Sequence, residues 1–225
     1  MFLFFDTETT DLTNARAPAY DSSQPWPVAV AAILCDEELN EVAEMYRVVK
    51  LPADVVINPR TQEIHGISWD KTQAIGLDPL VVLDEFAAMA AKATYNVAYN
   101  RPFDDKVMKA LAYRALQTNA ATGAALQAEI DAAAQDTSTR RDDALDTYLG
   151  RVVFGTSNGV CAMDLATNFL KVPGRGMVDN GGWRRHKLTA AYKLLTGLPM
   201  PDAHNALADT RGVKEVFKAM LKATV

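Results

Sequence analysis

The chain has 225 residues, 49% of them hydrophobic and 23% charged, with a formal net charge of −5. That length suits one large domain or a domain carrying an insertion, and the composition is that of a globular protein, not a disordered or fibrous one. No apolar run approaches the roughly 20 residues of a membrane span, and the acidic balance excludes a surface coated in basic charge for duplex DNA. Met1 to Phe5 is too short for a signal peptide and has no basic flank. Cys35 and Cys161 stand alone without metal-type spacing and read as packed thiols, so the expected location is the cytoplasm.

Met1 to Phe5 is an apolar run that leads straight into Asp6, with Glu8 two positions on. It reads as a buried strand, and strand alternation puts Asp6 and Glu8 on one side, with Phe2 and Phe4 behind them. Two carboxylates aimed at one point repel unless something positive lies between them, and oxygen-only ligands suit Mg²⁺ or Mn²⁺. A solvated acidic turn is the alternative for this stretch taken by itself. Asp11 to Pro27 is a loop rich in Pro, Ser and Asp. Val28 to Cys35 is a second buried strand, and Val42 to Val49 a third, antiparallel to it across a short turn.

Thr61 to Ile67 predicts a helical turn ended by Gly66, with His65 fixing that turn. Asp78 caps the next helix, with Pro79 at its first position. Thr94 to Tyr99 is a fourth strand, parallel to the first because a helix intervenes. Phe103 to Gln117 is a helix with Val107, Met108 and Leu111 on one face. Asp104 belongs to that face, which is unusual for an acid, whereas Asp105 points elsewhere into solvent.

Asn119 to Gly150, rich in Ala, Asp and Thr, reads as an added helical segment with weak periodicity around Ala124 to Ala134. Arg151 to Val160 reads as part strand and part Gly-rich loop, and Met163 to Lys171 as helix. Lys187 to Thr196 is a helix stopped by Gly197. Pro201 and Asp202 are expected to open the last helix, whose apolar stripe is Val213, Val216, Phe217 and Met220. Asp209, four residues before Val213, joins that stripe.

Asp6, Glu8, Asp104 and Asp209 thus share one property: each is a core-facing acid at the end of an element. Unpaired, they would be costly, and no matching bases accompany them, so one shared metal site accounts for all four. The three segments that carry them are Phe5-Asp6-Thr7-Glu8-Thr9-Thr10, Tyr99-Asn100-Arg101-Pro102-Phe103-Asp104 and Ala203-His204-Asn205-Ala206-Leu207-Ala208-Asp209. In type, spacing and order they resemble the motifs of the DEDD superfamily of 3′–5′ exonucleases. The nearest likeness is to the histidine subgroup that includes the proofreading epsilon subunit of DNA polymerase III and ribonuclease T. Glu63-Ile64-His65-Gly66-Ile67 is similar to a further family segment. Tyr99 stands where relatives often have His, and Asp11 where they often have Gly.

The resemblance implies an α/β fold of the ribonuclease H-like kind, a mixed central β-sheet flanked by helices, as a single exonuclease domain over residues 1–225 with a helical insertion at 119–150. It implies two divalent metal ions, Mg²⁺ or Mn²⁺, roughly 3.5–4 Å apart on Asp6, Glu8, Asp104 and Asp209. It implies His204 as general base, and nucleotide contacts at Thr7, Thr9, Leu12 and Asn100. Five residues of helix rotate roughly 140°, so His204 is expected on the turn before the helix that carries Asp209.

Lys171 to Lys193 holds six bases against one acid, while the rest of the chain holds 17 bases and 27 acids. Arg184, Arg185 and Lys187, with His186 among them, are the expected phosphate contacts, and Trp183 and Tyr192 add stacking surfaces; a solvated helix flank is the plain alternative. The expected activity is removal of 5′-mononucleotides from single-stranded 3′ ends, DNA favoured, with a DNA polymerase or replication protein as possible partner and no membrane. The alternatives are an RNA- or oligonucleotide-trimming enzyme of the same family and a non-catalytic polymerase-accessory subunit.

Overall fold

The structure, a computed structural model, describes residues 1–118, 120–135, 141–174 and 181–223. A five-stranded mixed sheet runs through the middle, in the order β3 (Glu41–Val48), β2 (Pro27–Cys35), β1 (Phe2–Thr9), β4 (Tyr95–Ala98), β5 (Asn158–Cys161). β1 pairs antiparallel with β2 and parallel with β4, as the lengths of the two connections require. The outer pairings are β2 with β3, antiparallel, and β4 with β5, parallel. All nine residues of β2 are buried, which is why it reads as a continuous apolar run.

Alternation along β1 feeds two cores. Leu3 and Phe5 face α3 (Pro79–Ala90), α4 (Arg101–Gln117) and α6 (Arg141–Phe154), with Phe5 against Phe86 and Phe154 at ring distances of 5.3 and 5.6 Å. Phe2 and Phe4 face α7 (Ala162–Leu170), α8 (Leu188–Thr196) and α9 (Ala206–Lys222), with Phe4 edge-on to Phe217 at 5.6 Å. Two short helices, α1 (Pro59–His65) and α2 (Trp69–Ile75), close the β3 side. Gly66 ends α1 at φ 68°, a left-handed conformation that favours glycine. Asp78 caps α3 by accepting from the Leu80 N–H, with Pro79 behind it. Among the described residues no helix is long and apolar enough to cross a membrane.

Within 119–150 the described residues form α5 (Ala120–Gln135) and most of α6, and Leu126, Leu145 and Leu149 join the same core as Leu3 and Phe5. Three expectations need correction. Arg151 to Phe154 continues α6 instead of forming strand, because Leu145, Leu149 and Val153 make one buried helical stripe. The last helix opens at Ala206, not at Pro201: Asn205 caps it by accepting from the N–H groups of Leu207 and Ala208, at 3.1 and 3.3 Å. Asp105 is half-buried between Arg101 and Lys109, at 3.2 and 2.8 Å, rather than solvated.

Candidate active site

The site forms where β1 leaves the sheet. Asp6 lies opposite Ala31 and Glu8 opposite Ala29 on β2, so small neighbours leave room for both carboxylates. α9 crosses the same face, and its buried stripe at Val213 and Val216 brings Asp209, one turn earlier, over the end of β1. Asp6, Glu8 and Asp209 each offer an oxygen within 4.8 Å of the others. Asp104 approaches from the first turn of α4 and is 3% exposed. Its Oδ1 accepts from the Thr7 N–H at 3.0 Å and from the Thr7 hydroxyl at 2.7 Å, so the residue between Asp6 and Glu8 anchors the fourth acid.

Burial opposes the charge on all four, and the neighbouring acids add to it at Asp6 and Glu8. Burial raises Asp6 well above the usual carboxylate range, with Asp104, Glu8 and Asp209 adding to the rise. Burial, then Asp209 and Asp104, pushes Glu8 up to about 8. Asp104 rises to about 7 through burial, against the opposing effect of its bonds from Thr7. Asp209 is raised by burial as well. Among the described ion pairs none involves these acids, and Glu8 Oε1 is buried without a hydrogen-bond partner. An all-carboxylate donor set with an orphaned oxygen fits a hard divalent cation.

Residues 3–151 match the family model RNase_T, described as Exonuclease. The chain belongs to this exonuclease family, within the DEDD superfamily. The third motif, with His204 and Asp209, lies beyond the matched residues, but the fold likeness extends over it. Exonuclease I of E. coli, solved in complex with a dT13 oligonucleotide, shares 20% identity at a TM-score of 0.65, over 99% of this chain and 41% of that one. The zinc-bound form of the E. coli enzyme with single-stranded DNA gives 19% and 0.65, over 99% of this chain and 40% of that one. A moderately thermophilic Exonuclease I from Methylocaldum szegediense gives 21% and 0.64, over 98% and 40%. The chain therefore spans about two fifths of the length of these solved proteins and shares their fold, a ribonuclease H-like mixed sheet flanked by helices. Comparison with curated proteins gives no match.

In this exonuclease domain His204 lies on the exposed turn before α9, in a left-handed conformation at φ 73°. Its backbone N–H donates to both Asp209 oxygens at 3.3 Å, tying the turn to the acid cluster. The expected nucleotide contacts divide. Thr7 is buried and its hydroxyl is engaged by Asp104; Thr9 is buried and donates to the Asp11 carbonyl at 2.7 Å. Both hydroxyls are thus engaged within the protein. Leu12, 76% exposed, and Asn100, exposed with no capping bond from its side chain, remain available.

The basic segment is also sorted by the fold. Arg184 and Lys187 are exposed. Arg185 donates to Asp164 at 2.8 Å, and His186 is buried, its carbonyl accepting from the Tyr99 hydroxyl at 2.7 Å. His186 is thus a strut, not a member of a charged patch. Tyr99 lies two residues after Val97, the partner of Phe4, and its hydroxyl ties the Arg184–Lys187 stretch to the end of β4. Tyr192 packs against the α9-side core, and Trp183 is partly buried beside Pro173, which reduces their use as stacking surfaces. Arg175 and Asp179 lie outside the described residues.

His65 accepts from the Ile67 N–H at its Nδ1, 3.0 Å away, and fixes the turn after α1. Two neighbours of the site carry no signal in the sequence. Lys106, two residues after Asp104, donates to the carbonyls of Asn14, Ala15 and Ala17 and so fastens the loop that follows the first motif. Tyr46 on β3 pairs with Ala31, in the same row as Asp6, and burial followed by the Glu8 charge pushes its phenol up. Each depends on a tertiary approach that local spacing does not encode.

Proposed function

We propose that this domain removes nucleotides from the 3′ ends of single-stranded DNA and releases 5′-mononucleotides, as a member of the histidine subgroup. The observation that carries the reading is the convergence of Asp6, Glu8 and Asp209 within 4.8 Å, with Asp104 behind them and Glu8 Oε1 left without a partner. These four residues would hold two divalent cations, Mg²⁺ or Mn²⁺. Bound there, the cations lower the pKa of a water and offset charge on the scissile phosphate and leaving oxygen. His204, on its exposed turn, accepts the proton of the attacking water. Leu12 and Asn100 meet the terminal nucleotide, and Arg184 and Lys187 hold phosphates upstream.

The oligonucleotide complexes of Exonuclease I support DNA as the substrate. Intact acids and His204 argue against a silent polymerase-accessory role. We read residues 1–225 as one exonuclease domain acting in the cytoplasm, with 119–150 as a helical insertion whose leucines pack into its core. The test uses purified protein with single strands labelled at either end, in Mg²⁺ or Mn²⁺. A 5′-labelled strand should shorten stepwise while a 3′-labelled one releases labelled mononucleotide at once. Internal cuts, or faster turnover of a matched RNA strand, would contradict the reading.

A further inference from the structure

The loop after the first motif is fastened to α1 through one pair of side chains. Asp11 Oδ1 accepts from the Leu12 N–H at 2.7 Å, and Asp11 Oδ2 accepts from Asn58 Nδ2 at 3.2 Å. Asn58 also caps α1, its Oδ1 accepting from the Arg60 N–H at 3.0 Å. The backbone is held alongside: the Asn58 N–H and the Thr61 hydroxyl both donate to the Thr10 carbonyl, at 2.8 and 3.0 Å. Thr9 completes the turn through its bond to the Asp11 carbonyl. Asp11 and Leu12 are nonetheless exposed, and Leu12 has 76% of its surface in water.

An exposed leucine gains nothing from such anchorage in the free protein. A leucine held rigidly four residues past Glu8 does gain if a base packs against it, because no ordering remains to be done on binding. Both carboxylate oxygens of Asp11 are engaged, so Asp11 orients its neighbour instead of binding a ligand. A glycine at this place would make neither bond. We propose that Asp11 and Asn58 form a brace that positions Leu12 against the 3′-terminal base. They are positioning residues for substrate, and this inference rests on the reading that Leu12 meets the terminal nucleotide.

The test compares two single strands, one ending in thymidine and one in an abasic deoxyribose, and takes the ratio of their kcat/KM values. The parent should prefer the thymidine end by roughly tenfold, about 1.4 kcal/mol of contact. Leu12→Ala should collapse that preference towards one. Asn58→Asp keeps an oxygen for the Arg60 N–H but sets a carboxylate against Asp11; it should lower the preference to about threefold, chiefly through a higher KM for the thymidine end. The double variant Asp11→Asn with Asn58→Asp restores the bond with donor and acceptor exchanged, and the asparagine oxygen still accepts from the Leu12 N–H. It should recover most of the preference.

A loop that matters only for folding would change both substrates alike and leave the ratio intact. An unchanged ratio in Asn58→Asp therefore overturns the brace, as does a lowered ratio that the double variant fails to recover. An unchanged ratio in Leu12→Ala removes the leucine contact and the inference with it, while the exonuclease reading stands. Failure of the parent to shorten either strand refutes the exonuclease reading itself.

Discussion

Glu8→Gln should make the metal-free protein more stable and inactive at once. Glu8 sits beside Asp209 and Asp104, and burial with their charges moves its pKa from 4.5 to about 8. Below pH 4.5 the group is neutral in folded and unfolded chains alike and has no effect. Between 4.5 and 8 the folded chain retains a proton that the unfolded chain releases, so stability falls as pH rises; above 8 the loss is complete. The full shift corresponds to about 5 kcal/mol. Side-chain relaxation and water entry recover part of it, so a net gain of about 2 kcal/mol is expected from the amide. For a chain of this size that is roughly 4–8 °C in Tm. Thermal melts of parent and variant in EDTA at pH 5 and pH 8.5, with and without Mn²⁺, provide the measurement. The gap should be small at pH 5 and widest at pH 8.5. Mn²⁺ should raise the parent and barely move the variant, because ligand binding stabilises only the state that binds it. A gap that is absent at pH 8.5, or that widens on acidification, would refute the claim that crowded carboxylates are held in place for a cation.

Asp6→Ala, Asp104→Ala and Asp209→Ala should each abolish most activity on a labelled single strand, whereas Asp105→Ala should lower stability by about 1 kcal/mol, by removing the carboxylate that Arg101 and Lys109 share, and leave turnover per folded molecule near parental. His204→Ala should cut turnover by roughly 10²–10⁴-fold while calorimetric titration still shows Mn²⁺ binding; loss of binding would make His204 a ligand. Arg184→Ala with Lys187→Ala should flatten the slope of log affinity against log salt by roughly 0.7 per lost phosphate contact on single strands, and Arg185→Ala should instead lower Tm, because Asp164 loses its partner. Leu149→Ala should destabilise by about 2–5 kcal/mol in denaturant melts, and removal of residues 119–150 should prevent folding, since that leucine is fully buried in the core shared with Phe5.

Much of the site is legible in the sequence because each acid follows an apolar pattern that fixes its direction. Asp6 and Glu8 inherit the face of Phe2 and Phe4, Asp104 that of Val107 and Leu111, and Asp209 that of Val213. Given the role that the family resemblance implies for His204, helical rotation puts it ahead of the helix, and the fold has it on the turn before Asn205. What spacing does not reveal is which groups satisfy one another. Thr7 looks like a surface contact until Asp104, 97 residues later, is seen to accept both of its donors. Arg185 and Lys187 are equivalent in sequence, yet Asp164 neutralises one and leaves the other in water.

The same distinction explains the helix that runs past Gly150. Val152, Val153 and Phe154 are β-branched and aromatic, and local preference favours strand for them. Leu145 and Leu149 set a four-residue rhythm that Val153 continues, and all three are buried in the core that Phe5 and Phe86 begin. The phenyl ring of Phe154 lies 5.6 Å from Phe5 and 5.9 Å from Phe86, while the Arg101 guanidinium stands 5.3 Å from its centre. Arg101 opens the helix that presents Asp104, and its Nε donates to Asn96 on β4 at 2.9 Å. The end of α6 thereby bears on the element that carries the fourth acid. A segment with little chemistry of its own thus backs the face that carries the acids, and alanine-rich composition hides this because the few large residues that do the packing are spaced by four.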